Sequence, residues 1–155
     1  MRKLTPFLII SIFAIFQATI LNYLKIFYVL PDLLLISMVM VSLLFELRLA
    51  LVLSAFAGIL KDIFSIKPFA INTILFLLWC LFIKNLSKKL AIENRLSRAL
   101  LVFVIVIFND VINRLVIFHT GETIPAGIVL RVIFLESLFS ACVSPLVYWG
   151  ICDEK

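Results

Sequence analysis

Six apolar runs separated by short polar or turn-forming stretches set the pattern of this chain, at residues 4–21, 31–45, 49–64, 68–83, 99–117 and 127–151. Runs of this kind predict membrane helices, and the second and third, roughly 14 to 16 residues against the ~20 that cross a bilayer untilted, need their flanks to extend or snorkel. Arg2-Lys3 and the run after them have the opening of a signal peptide, but no small-residue cleavage pattern follows, which predicts a retained first helix. Pro31-Asp32 is a start signal for the second helix, and Glu46 and Arg48 mark a tight turn into the third. The third helix offers Ser54, Ala55, Ala57 and Gly58 for close packing, either against a partner or inside the bundle. Residues 84–98 form the one long polar segment, holding Lys84, Lys88, Lys89, Arg95 and Arg98 against Glu93; they predict a basic cytoplasmic loop, with a solvated or interfacial amphipathic helix as one reading of it and a specific anionic-lipid site as another.

The most polar interruption in the first half falls between the third and fourth runs. Lys67 before Pro68 is pushed out of the helical region, whereas Pro68 suits the first turn of a helix, so the break belongs at 65–67 and the fourth helix starts near 68. Asp62 then lies in a last helical turn, where the macrodipole opposes a carboxylate and favours the neighbouring Lys61. Asp62 needs a partner. The candidates are free N–H groups of the turn, the Ser65 hydroxyl, and the start of the next helix with Asn72. Two readings stay open: a carboxylate that ties the hairpin, and one that binds a ligand or partner.

Further along, Asn109, Asp110, Asn113 and Arg114 fall within an arc of about 140° on the fifth helix, with Asp110 and Arg114 spaced for an i, i+4 ion pair. The sixth helix carries Arg131 and Glu136 beside the small residues Ser137, Ser140, Ala141 and Ser144. With Gln17, Asp62 and Asn72, these groups all fall toward one end of their helices, which predicts a polar pocket or groove there. A lone charge at that depth costs on the order of 2.5 to 3.5 kcal/mol, so pairing is expected; an internal network, a partner surface and a small-molecule site are the three readings.

Composition sharpens the class. At 65% hydrophobic and 15% charged residues, with a mean hydropathy of +1.24, the chain reads as an all-α integral membrane protein, one polytopic domain over residues 1–155. The formal charge of +5 does not indicate nucleic acid, because the basic residues gather at helix ends. Arg2, Lys3, Arg48, Lys84, Lys88, Lys89, Arg95, Arg98 and Lys155 lie on the side of the termini, against Lys25, Lys61 and Lys67 on the other. The positive-inside rule therefore puts both termini in the cytoplasm. Cys80, Cys142 and Cys152 are scattered and His119 is the single histidine, so neither a disulfide framework nor a metal site is expected. No nucleophile motif or Gly-rich phosphate loop accompanies the acids, so no catalytic residue, no cofactor and no enzyme activity is expected.

Gln17, Pro31-Asp32-Leu33 and above all the pattern Gly58-x-x-x-Asp62-x-x-Ser65-x-x-Pro68-Phe69, with the size and span count, resemble the rod shape-determining protein MreD family. The match covers about residues 10 to 80 and departs at Ala70, where the family usually has glycine. The resemblance implies a non-enzymatic scaffold of the bacterial inner membrane, part of the cell-elongation machinery that supports peptidoglycan synthesis and rod shape. The partners it implies are MreC directly, and MreB, RodA and the elongation transpeptidase through the complex, with membrane lipids around it. It also implies a compact six-helix bundle similar to the substrate-binding subunits of energy-coupling-factor transporters. The alternative function is accordingly that of a vitamin-binding transporter subunit, using the polar pocket as a substrate site.

Overall fold

Asp32 starts the best-defined helix of the chain. Its side chain accepts a hydrogen bond from the Leu35 amide at 3.2 Å, the bond that an N-cap supplies to an orphan donor. In the computed structural model, which describes residues 5–19, 31–64, 70–89, 94–119 and 126–152, six helices follow one another. They are α1 (Thr5–Thr19), α2 (Leu33–Leu44), α3 (Leu47–Phe64), α4 (Ile71–Lys89), α5 (Arg95–His119) and α6 (Ala126–Cys152).

α2 is the axis of the bundle. Every residue from Leu33 to Ser42 is buried, and α1, α3, α4, α5 and α6 all pack against it. A helix buried all round has to be apolar all round, and its sequence LLLISMVMVSLL meets that requirement. Its two serines, Ser37 and Ser42, donate to the Leu33 and Met38 carbonyls at 2.7 and 2.8 Å and so satisfy themselves within the helix. At Phe45 the backbone becomes extended (φ −105°, ψ 162°), and Phe45 and Glu46 alone separate α2 from α3. The Phe45 carbonyl accepts a hydrogen bond from Lys84 of α4. α2 thus has a carboxylate at its N-terminus and an ammonium at its C-terminus, the arrangement its macrodipole favours.

Four of the remaining helices form two close pairs, α3 with α4 and α5 with α6, and α1 packs on α2 and α3. α3 buries Ala50, Leu53, Ser54, Ala57, Gly58 and Asp62, a stripe of small residues at helical spacing, while Val52, Ile59, Ile63 and Phe64 face outward. The small-residue face therefore packs inside the bundle. At Gly58 the approach is so close that an added Cβ would meet the Thr73 Cα at 2.5 Å. In α6, Pro145 has no N–H to give to the Ala141 carbonyl, and the Ser144 hydroxyl donates to that carbonyl instead at 2.8 Å.

Three helical stretches, Ile71–Lys89, Arg95–Val116 and Val129–Trp149, are long and apolar enough to cross a membrane. Pro6–Thr19 and Leu33–Leu44 are apolar but shorter, and α3 carries Arg48, Lys61 and Asp62 within its eighteen residues. Large apolar side chains such as Leu8, Ile63, Leu78, Leu115 and Leu146 stand exposed on the outside of the bundle, as lipid contact requires.

Two expected boundaries move. The fourth helix starts at Ile71 instead of residue 68, because Ala70 takes a positive φ of 75° that no right-handed helix can include. The 84–98 segment is not one basic loop: α4 continues through Lys89 and α5 begins at Arg95. Lys88 and Lys89 occupy the last turn of α4, where the helix dipole stabilises them, and the Asn94 carbonyl accepts from the Arg98 amide to open α5.

Candidate functional site

Two buried carboxylates, Asp32 and Asp62, organise one end of the bundle, and each is held by a different logic. Asp62 sits near the C-terminus of α3, where its own helix dipole is unfavourable, and its side chain crosses to the N-terminus of α4. Oδ1 accepts from the Asn72 backbone N–H at 3.1 Å and from Asn72 Nδ2 at 2.8 Å. Oδ2 accepts from the Thr73 N–H at 3.0 Å and from Thr73 Oγ1 at 2.6 Å. Four donors on one carboxylate satisfy orphan N–H groups of α4 and place the negative charge at the positive end of that helix. Among the described residues, the candidate partner that Asp62 uses is the helix start with Asn72, and Thr73 is an addition. Gly58, one turn before Asp62, lets α4 come close enough for these bonds to form.

Asp32 is a junction of four helices. Besides capping α2, Oδ1 accepts from Gln17 Nε2 of α1 at 3.4 Å, and Gln17 Oε1 in turn accepts from the Leu34 N–H at 3.1 Å. The Asp32 N–H donates to Ser140 Oγ of α6 at 3.3 Å. Oδ2 forms an ion pair with the Lys61 ammonium of α3, with only 4% of the Asp32 side chain and 17% of the Lys61 side chain exposed. The same ammonium lies 5.2 Å from the centroid of the Phe76 ring on α4, a cation–π contact that a desolvated lysine favours. The Pro31 carbonyl accepts from the Leu33 N–H at 3.1 Å, completing the turn into α2.

The charges of α5 and α6 reach this junction through space. Asp110 of α5 and Glu136 of α6 lie within electrostatic reach of the Asp32–Lys61 pair. Asn109, Asp110 and Asn113 are buried and Arg114 is half-buried, so the stripe expected on α5 does turn inward. Asn113 Nδ2 donates to the Asn109 carbonyl at 3.1 Å. Both side-chain polar atoms of Asn109, which is fully buried, and Oδ1 of Asn113 have no hydrogen-bond partner among the described residues. Arg131, expected with this group, is exposed instead. Ser65 and Pro68 lie outside the described residues.

The expected polar pocket takes a different form. Gln17, Asp32, Lys61, Asp62 and Asn72 are packed directly on each other and on backbone. A cavity of about 320 Å³ lies among the described residues at the other end of α2, α5 and α6.

Sequence reasoning passed over Lys61 as a site residue, although a signal was present. Residues 32 and 61 lie at similar distances on either side of the connection at 45–46, so an antiparallel hairpin of α2 and α3 puts them at about one level. A lysine and an aspartate at matched depth in neighbouring apolar helices call for each other.

A buried, charge-paired junction of short and long apolar helices defines the class: an all-helical membrane protein whose polar groups join its own helices. The chain belongs to the MreD family, since the family model described as rod shape-determining protein MreD matches residues 1–149. This is a family of shape-determining structural proteins, and the match extends well beyond the first half, where the motif residues lie. Neither a curated protein nor a solved structure matches the chain.

Proposed function

We propose that the chain is a six-span scaffold of the bacterial inner membrane that binds MreC and thereby supports peptidoglycan synthesis in the elongation of rod-shaped cells. In this reading both termini are cytoplasmic, as the distribution of lysine and arginine implies. The bundle is of the compact kind found in the substrate-binding subunits of energy-coupling-factor transporters. MreB, RodA and the elongation transpeptidase associate with the protein through the complex.

The observation that carries the reading is the fourfold anchoring of Asp62 on α4. A carboxylate engaged in this way does not bind a ligand of its own; it ties the end of α3 to the start of α4 on the outer side. Next to it Ile59, Ile63 and Phe64 project outward from the end of α3. Two helix ends tied together beside exposed apolar side chains suit the docking of a partner's membrane helix and the segment that follows it.

The test uses the native host. Depletion of the protein is expected to widen and round the cells, and MreC is expected to co-purify with the wild-type chain. The double substitution Ile63→Ala/Phe64→Ala alters only exposed side chains and is expected to leave membrane abundance intact while lowering MreC recovery. Unchanged cell width on depletion, or full MreC recovery with the double variant, would overturn the proposal.

A further inference from the structure

The cavity of about 320 Å³ is bounded by Met40 of α2, by Arg95 and Arg98 at the start of α5, and by Ser144, Pro145, Leu146, Tyr148 and Trp149 near the end of α6. Its size is at the lower end of ligand pockets, enough for a headgroup and its first carbons and too small for a whole lipid. Leu146 and Trp149 line it and are also 71% and 70% exposed, so the cavity opens onto the outer, lipid-facing surface of α6.

The chemistry of the walls is divided. Five lining residues are apolar or aromatic, and the charged ones are two arginines at i, i+3 on α5. The central carbon of the Arg98 guanidinium lies over the Tyr148 ring, 3.9 Å from its centroid. Contact of this kind holds the guanidinium at the cavity wall. Arg95 is exposed, the first turn of α5 holds no acid, and Lys88 and Lys89 end the helix before it. Trp149 and Tyr148 beside the arginines are the aromatic pair expected where the hydrocarbon meets the headgroups. A phosphate with apolar chains attached matches both halves of the site.

We propose that this cavity is a binding site for an anionic phospholipid of the leaflet in contact with the arginine-rich end. Its phosphate pairs with Arg95 and Arg98, and its acyl chains run along Leu146 and Trp149. The proposal rests on α5 and α6 being membrane helices and is independent of any binding to MreC.

Trp149 itself serves as the reporter. In a Trp79→Phe background the purified full-length protein is placed in nanodiscs of phosphatidylcholine containing a fixed fraction of brominated phosphatidylglycerol or of brominated phosphatidylcholine, and quenching of Trp149 is measured. At ~5-fold in affinity per basic residue near the surface, the phosphatidylglycerol is expected to be preferred at least about fivefold. Arg95→Gln, which alters an exposed side chain, is expected to lower that preference about fivefold, and Arg95→Gln/Arg98→Gln to abolish it, with quenching by brominated phosphatidylcholine unchanged. Equal quenching by the two lipids would overturn the proposal. So would a preference that survives the double substitution, or one abolished by millimolar glycerol phosphate, which would make a soluble phosphate the ligand.

Discussion

Ala70 shows at the smallest scale how this family's turn is built. Its φ of 75° is a conformation that costs a residue with a Cβ about 1–2 kcal/mol and glycine almost nothing. Glycine would carry no such cost here, and this chain tolerates alanine because Asp62 anchors the two residues after Ile71. Ala70→Gly is expected to raise the unfolding free energy in mixed micelles by up to about 1 kcal/mol, the strain relieved less the entropy glycine adds; a loss of stability would mean that the strain is not there. Lys61 and Asp32 carry the second expectation. Lys61→Met strands a buried carboxylate and should cost about 3–5 kcal/mol. Asp32→Asn/Lys61→Met removes both charges, keeps a side chain able to cap α2, and should recover most of that loss. Losses that simply add in the double variant would show that the pair is not coupled.

At the scale of helices, the sequence was most legible where local chemistry decides. Pro31-Asp32 announces the N-terminus of α2, and the structure has its cap there. The need of Asp62 for a partner followed from its place in a last helical turn, with the start of the next helix as one of three candidates. The end of α4 and start of α5 were harder to see, because Lys84 to Arg98 reads as polar by composition while Lys88 and Lys89 in fact finish a helix whose dipole they complement. Lys61 was obscured for a similar reason: a lysine in a last turn is adequately explained by its own helix, and only the pairing of α2 with α3 reveals the second explanation. The exposure of Arg131 is not encoded in spacing at all, since it depends on the rotation of α6. Gly58 gives the sharpest expectation for an element pair. With a Cβ directed at the Thr73 backbone, Gly58→Ala must push α4 away and stretch the bonds from Asn72 and Thr73 to Asp62. A loss of about 1–3 kcal/mol follows from overpacking alone, measurable by the same unfolding titration; wild-type stability would mean that α3 and α4 can separate freely.

For the whole molecule, the fold class was written in the hydropathy pattern and the family match confirms the kind of protein, but the inner arrangement was not readable from it. Nothing in a run of leucine and methionine says that α2 is the helix around which the others pack, because every apolar run predicts burial equally well in lipid and in protein. The orientation rests on the imbalance of basic residues, nine at one end against three at the other, and can be checked directly. On a cysteine-free background, Asn85→Cys is expected to react with an impermeant thiol reagent only after the membrane is opened, and Glu122→Cys in intact spheroplasts. The reverse pattern would invert the topology.

The Asp32–Lys61 pair also constrains the order in which the protein is made. The two residues are separated by 29 positions, which a ribosome adding ~5–20 residues per second covers in about 1.5 to 6 s. For that interval the nascent α2 carries its carboxylate with no counter-charge, and lipid is the wrong place for it to wait. With only Phe45 and Glu46 between the helices, the natural solution is for α2 and α3 to leave the insertion machinery together as a hairpin, already neutralised.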